Sequence, residues 1–106
     1  MTVNPQDRVF AALASAPRRR VIAFLAQTAL STSDLAQRFG MSAPAVSRHL
    51  AVLLEAGLVT AERQGQRVLY RLQRDALLAA LAGLASVVDG PLRRVPQMPL
   101  VPREAL

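Results

Sequence analysis

Two helix-opening signals follow one another closely in this chain, each is closed by a glycine, and an alternating strand pattern comes straight after. Ser31-Thr32-Ser33-Asp34 opens a short helix that Gly40 ends, and Ser42 opens a longer one that runs to about Ala56 and stops at Gly57. The first signal is a variant capping box, with Asp where Glu is usual, and the glycines suit the left-handed positions at which helices end. Val46, Leu50 and Leu53 recur at the spacing of one buried helix face. Val59, Ala61 and Arg63 then alternate with Thr60 and Glu62, Gln64-Gly65-Gln66 makes a turn, and Val68, Tyr70 and Leu72 alternate with Leu69 and Arg71. A short helix, a tight turn at Gly40-Met41, a second helix and a hairpin, in that order, predict a winged helix-turn-helix.

Three more helices flank this unit. Asn4 caps the first, with Pro5 at its first position, Asp7 in its first turn and Val9, Phe10 and Leu13 on one face. The second opens at Pro17 and places Val21, Ile22 and Leu25 at helical spacing, with Phe24 beside them. The fifth covers about Arg74 to Val88, before the stop Asp89-Gly90-Pro91. Its stripe of Leu77, Leu81, Leu84 and Val88 has Leu78 and Ala85 beside it, and alanines leave the other faces apolar too. A helix apolar all round is normally buried, and a chain of 106 residues has limited core to cover it. Pairing with a second copy resolves this, so Phe10, Leu77, Leu78, Leu81, Leu84 and Val88 are the expected dimer interface. The expected fold is mainly α, five helices with a β-hairpin wing, dimerising through its first and last helices. Residues 1–90 form the domain, and residues 91–106, with four of the seven prolines, read as an extended tail, either disordered or docked on a neighbour.

Charge points to a partner. All 13 basic residues are Arg, against 7 acids, for a net charge of +6. Residues 1–74 hold 10 Arg and 4 acids, so the whole excess lies in the helix-turn-helix and its surroundings. Such a surface suits nucleic acid, and guanidinium forks match phosphate oxygens and guanine edges. With no Cys, disulfides, thiolate metal sites and cysteine nucleophiles are excluded. No Gly-rich phosphate loop, metal cluster or Ser/His/Asp set is spaced for catalysis, so no enzyme and no cofactor is expected. Ala76–Val88, 13 residues without a charge, is shorter than the roughly 18–20 needed to span a bilayer. The start of the chain lacks the basic and apolar regions of a signal peptide, and the expected location is the cytoplasm.

A helical wheel places Pro44 and Arg48 outward on the fourth helix, flanked by Ser47, and with Ser42 and Ala43 at the helix start these are the residues a major groove would receive. Ser42 and free backbone N–H groups there can meet a phosphate. His49, at the border, reads as a DNA-backbone contact or a locally hydrogen-bonded side chain, since a lone imidazole lacks partners for a metal. Arg63 and Arg67 flank the wing turn and suit a narrow, negative minor groove. Arg18, Arg19 and Arg20 crowd the first turn of the second helix, where positive charge is unfavourable. DNA phosphate, reached by Arg18, or internal carboxylates such as Glu55 or Glu62 are the candidate compensations.

Taken in order, Phe10-Ala-Ala-Leu-Ala, Pro17-Arg-Arg-Arg-Val-Ile, Ser31-Thr-Ser-Asp-Leu-Ala, Ser42-Ala-Pro-Ala-Val-Ser-Arg-His-Leu50, Glu55-Ala-Gly-Leu-Val59 and the Arg63–Leu72 hairpin resemble the ArsR/SmtB family of winged-helix repressors. With the outer helices the resemblance covers residues 5–90. It implies a homodimer that binds double-stranded operator DNA and lets go when an effector arrives. Departures from the family pattern bear on that effector. Ser31 and Ser33 stand where many members have metal-binding cysteines, and hydroxyls are poor ligands for soft metals. The fifth helix has Asp75 and Asp89 but no His, with Leu77 and Val88 where imidazoles are expected. No metal site is therefore expected, and the effector is open. Ala43 replaces a frequent Gln and Gln66 a frequent Arg, so the operator sequence does not carry over. Two other readings stay open: a winged-helix protein-interaction module and a non-specific architectural DNA binder.

Overall fold

The computed structural model describes residues 4–89, and the expected proline-rich tail lies outside them. The elements are α1 (Pro5–Leu13), α2 (Ala16–Leu25), β1 (Leu30–Ser31), α3 (Thr32–Phe39), α4 (Ala43–Glu55), β2 (Val59–Gln64), β3 (Arg67–Leu72) and α5 (Arg74–Asp89). The helix starts follow the caps. Asn4 accepts a hydrogen bond from the Gln6 N–H at 2.8 Å. In the Ser31/Asp34 box, the Asp34 N–H donates to the Ser31 hydroxyl at 3.1 Å and the Ser31 N–H donates to the Asp34 carboxylate at 3.0 Å. α2 begins one residue before the expected Pro17, because Ser15 is the cap and Pro17 falls within the first turn.

The end of α4 aims the wing. The Leu58 N–H donates to the Leu53 carbonyl and the Gly57 N–H to the Leu54 carbonyl, both at 3.0 Å, with Gly57 at φ 75°. This paired closure needs the left-handed conformation that glycine adopts without cost. It turns Leu58 into the core and sends the chain into β2.

The hairpin register pairs Val59 with Leu72, Ala61 with Tyr70 and Arg63 with Val68, closing at Gln64 with Arg67. The turn is therefore two residues, Gly65-Gln66, with Gly65 at φ 64°. A third strand was not expected. β1, two residues long, pairs antiparallel with β3 through Leu30–Tyr70 and Ser31–Leu69, giving the order β1-β3-β2. So short a strand has no readable alternation, and only the tertiary fold brings it to an edge of the sheet.

The core is aliphatic. Val21, Leu35, Val46, Leu50, Leu53 and Leu58 are almost completely buried where α2, α3 and α4 meet. Phe24 and Phe39 pack edge to face at its margin, ring centroids 5.3 Å apart. α5 meets the core through its N-terminal half. Ala80 is buried and Leu77 packs against the core of its own chain, so Leu77 faces inward. Phe10 of α1 is also half-buried against that core. At Gly83 the two outer helices run close, an added methyl there lying 3.5 Å from Gln6 Nε2. The large apolar side chains of α5 left exposed are Leu78, Leu81, Leu84, Val87 and Val88, with 59%, 42%, 52%, 82% and 76% of their surface exposed. Leu77 and Leu84 share one helix face and Ala80 and Val87 another, so position along α5 decides which member of each pair is covered.

Candidate nucleic-acid interface

α4 stands on its buried stripe, so its opposite face is free. Ser42, Ala43, Pro44, Ser47 and Arg48 are exposed and His49 is half-buried, while Val46, Leu50 and Leu53 point inward. Arg48 makes no hydrogen bond or ion pair with any described residue, so its fork is available to a ligand. Phosphate binding at the helix start is narrower than expected. Pro44 has no N–H, the Ala45 N–H donates to the Ser42 hydroxyl at 3.3 Å, and the Val46 N–H donates to the Ser42 carbonyl. The Ser42 and Ala43 N–H groups are left without a partner among the described residues.

The two wing arginines differ. Cross-strand partners share a face, so Arg67 lies with Gln64 and Arg63 with Val68, on the other side of the hairpin. Arg63 is exposed and makes no bond to a described side chain. Arg67 donates through one Nη to the Asp34 carboxylate at 2.6 Å and to the Ser31 hydroxyl at 3.2 Å. Ser31, by its backbone N–H first and its side chain second, and then Arg67 and Arg38 hold the Asp34 carboxyl below the usual carboxylate range. A depressed pKa makes the contribution of Asp34 full above the ordinary value of 3.8, and it is lost as pH falls through the folded value. The Asp34 carboxylate is therefore ionised throughout the neutral range.

Within the chain, the crowded arginines of α2 are compensated by backbone carbonyls and an aromatic ring and not by a carboxylate of the described residues. Arg18 Nε donates to the Ala12 carbonyl at 2.7 Å and its Nη to Ala11 at 3.3 Å, and Arg19 donates to Leu13 at 2.7 Å. These carbonyls belong to the last turn of α1, where cations are favoured. Arg20 lies over the Phe39 ring, 4.7 Å from its centroid. Glu62 is engaged instead by Arg71 at 3.2 Å. Within the chain, Arg18 thus serves as a cap for α1. The available signal was the nearness of the run to the end of the first helix. Arg18→Ala should cost about 1 kcal/mol and lower the melting temperature by about 4–8 °C, and it should leave the salt dependence of DNA binding unchanged. Thermal melts and a salt titration of the variant check both halves.

The start of α3, where the family resemblance places metal-binding cysteines, does not fit a soft metal ion. Its donors are hydroxyls, and that of Ser31 is already bonded to the Asp34 N–H and to Arg67. Among the described residues no three His, Asp or Glu side chains come together as a metal site.

A three-stranded sheet whose β2–β3 hairpin follows an α3-turn-α4 unit defines the winged helix-turn-helix class. The model of the bacterial regulatory proteins of the arsR family matches residues 16–61. An HTH-type transcriptional regulator of Mycobacterium tuberculosis is 36% identical over 99 residues, spanning 83% of this chain and 92% of the relative. The transcriptional repressor SdpR of Bacillus subtilis is 31% identical over 83 residues, 78% of this chain and 92% of the relative. A solution structure of a homodimeric winged helix-turn-helix DNA-binding domain from Mycobacterium bovis superposes with a TM-score of 0.67 at 30% identity, covering 89% of this chain and 87% of that one. The chain belongs to the arsR family of transcriptional regulators.

Proposed function

We propose that residues 1–90 form a homodimeric, sequence-specific DNA-binding domain that represses transcription from a pseudo-palindromic operator. The observation that carries this is Arg48, bonded to no described residue, beside Ser47 on the exposed N-terminal face of α4, with Arg63, bonded to no described side chain, on the wing that follows. Ser47 and Arg48 are placed to read base edges in the major groove, flanked by Ser42, Ala43, Pro44 and His49, while the wing meets the backbone or the minor groove. The exposed stripe on α5 is the dimer face, which sets two reading helices about one helical turn apart. The homodimeric state of the M. bovis domain and the repressor name of the B. subtilis relative support this reading. No helix of the described residues is long and apolar enough to cross a membrane, and a cytoplasmic regulator without catalytic activity is consistent with that.

The test separates readers from positioners. Arg48→Ala should cost about 1–3 kcal/mol on the operator and much less on random duplex. Arg63→Ala should weaken both DNAs alike and flatten the slope of log K against log salt by about one unit for each phosphate the side chain neutralises. Titration of both variants against the two duplexes at several salt concentrations decides. Equal losses on both DNAs for Arg48→Ala would pass the reading role to Ser47 or Ala43. Absence of any salt-dependent retention on duplex DNA would favour the protein-interaction module.

A further inference from the structure

The wing is fastened to the helix-turn-helix at two levels. At its base, β1 pairs with β3 through Leu30–Tyr70 and Ser31–Leu69, and Ser31 is also the cap of α3. Arg67 lies two residues farther out on β3, on the same face as Leu69, and it bonds the capping box itself: Asp34 at 2.6 Å and the Ser31 hydroxyl at 3.2 Å. Gln64–Arg67 is the last pair before the Gly65-Gln66 turn. The contact therefore holds the outermost rung of the hairpin, beyond the reach of the β1 ladder. It also neutralises a carboxylate that would otherwise stand unpaired next to a polyanion.

We propose that Asp34 and Arg67 are positioning residues for DNA binding: the Asp34–Ser31–Arg67 cluster is a strut that fixes the wing tip on α3, so that Arg63, on the opposite face, is the wing arginine that meets DNA. The claim builds on the DNA-binding reading, and it reassigns Arg67 from contact to support. Two physical consequences distinguish the assignments. A strut works only when both partners are present, so losing either loosens the tip equally. A DNA-contacting Arg67 held back by Asp34 would be released by removing that charge, and affinity would rise.

The test uses the full chain as Asp34→Asn, Arg67→Gln and the double variant. Asparagine keeps an acceptor for the Ser31 N–H, so the α3 cap survives, and unchanged far-ultraviolet circular dichroism verifies this. In the free protein, 15N relaxation should show lower order at the Gly65 and Gln66 amides in both single variants, and Arg67→Lys should restore part of it. On operator DNA each single variant should lose affinity by about three- to thirtyfold, the double variant no more than the worse single one. The salt slope should not change in Arg67→Gln, whereas Arg63→Ala should flatten it. Unchanged order at Gly65 in Asp34→Asn, or a gain in its DNA affinity, would overturn the strut. If the unmodified protein shows no DNA binding at low salt, the DNA-binding reading fails and the relaxation data still judge the strut.

Discussion

Leu81→Arg is expected to leave the protein monomeric or aggregated and to collapse its affinity for operator DNA. Leu81 lies at the centre of the exposed α5 stripe, between Leu78 and Leu84. A stripe this apolar is stable in water only when covered, and against a twin helix the substitution would bury an unpaired guanidinium, costing several kcal/mol. Loss of the dimer halves the number of reading helices per molecule, so the effect on operator binding far exceeds that of any one side chain. Light scattering and a gel shift on the same samples measure both. Leu77→Arg provides the contrast. Leu77 packs on its own chain's core, so that variant should lose helical structure as well as assembly. A Leu81→Arg protein that remains dimeric and binds normally would place the interface elsewhere.

Leu50→Ala should be the most destabilising single truncation on α4. Leu50 is completely buried between Val46 and Leu53 on the stripe that seats the reading helix. Removing a buried leucine side chain costs about 2–5 kcal/mol, the transfer loss plus the cavity left behind. Against a total stability of about 5–15 kcal/mol for a domain, the melting temperature should fall by at least about 10 °C. Because the outer face is untouched, binding should persist at low temperature, where the variant is still folded. Thermal melts and cold gel shifts check the two parts. A fall of only a few degrees would mean that α4 relaxes into the space.

The chain's own residues determined the parts of the fold whose causes are local. Asn4, Ser31 and Ser42 start their helices because each hydroxyl or amide oxygen accepts from a backbone N–H within its own first turn. Gly40, Gly57 and Gly65 sit where the backbone turns left-handed, and no other described residue does so. Val46, Leu50 and Leu53 were legible as the buried face of α4 because helical periodicity sorts inside from outside, and the same wheel exposed Ser47 and Arg48. Alternation about Gly65 was enough for the hairpin.

Contacts between distant residues were decided by the tertiary structure alone. Arginine is long and bonds to any oxygen within reach, so spacing does not reveal its partner. Arg18 and Arg19 turned back to the carbonyls of α1, Arg74 reached the Ala26 carbonyl at the end of α2, and Arg67 crossed to Asp34, 33 positions away in the chain. β1 became a strand because the start of α3 falls beside β3. The orientation of α5 was likewise undetermined by pattern, since a helix apolar on every side has no moment to point it. Packing set Ala80 in the core and Gly83 beside Gln6 of α1, and left Leu78, Leu81, Leu84, Val87 and Val88 exposed.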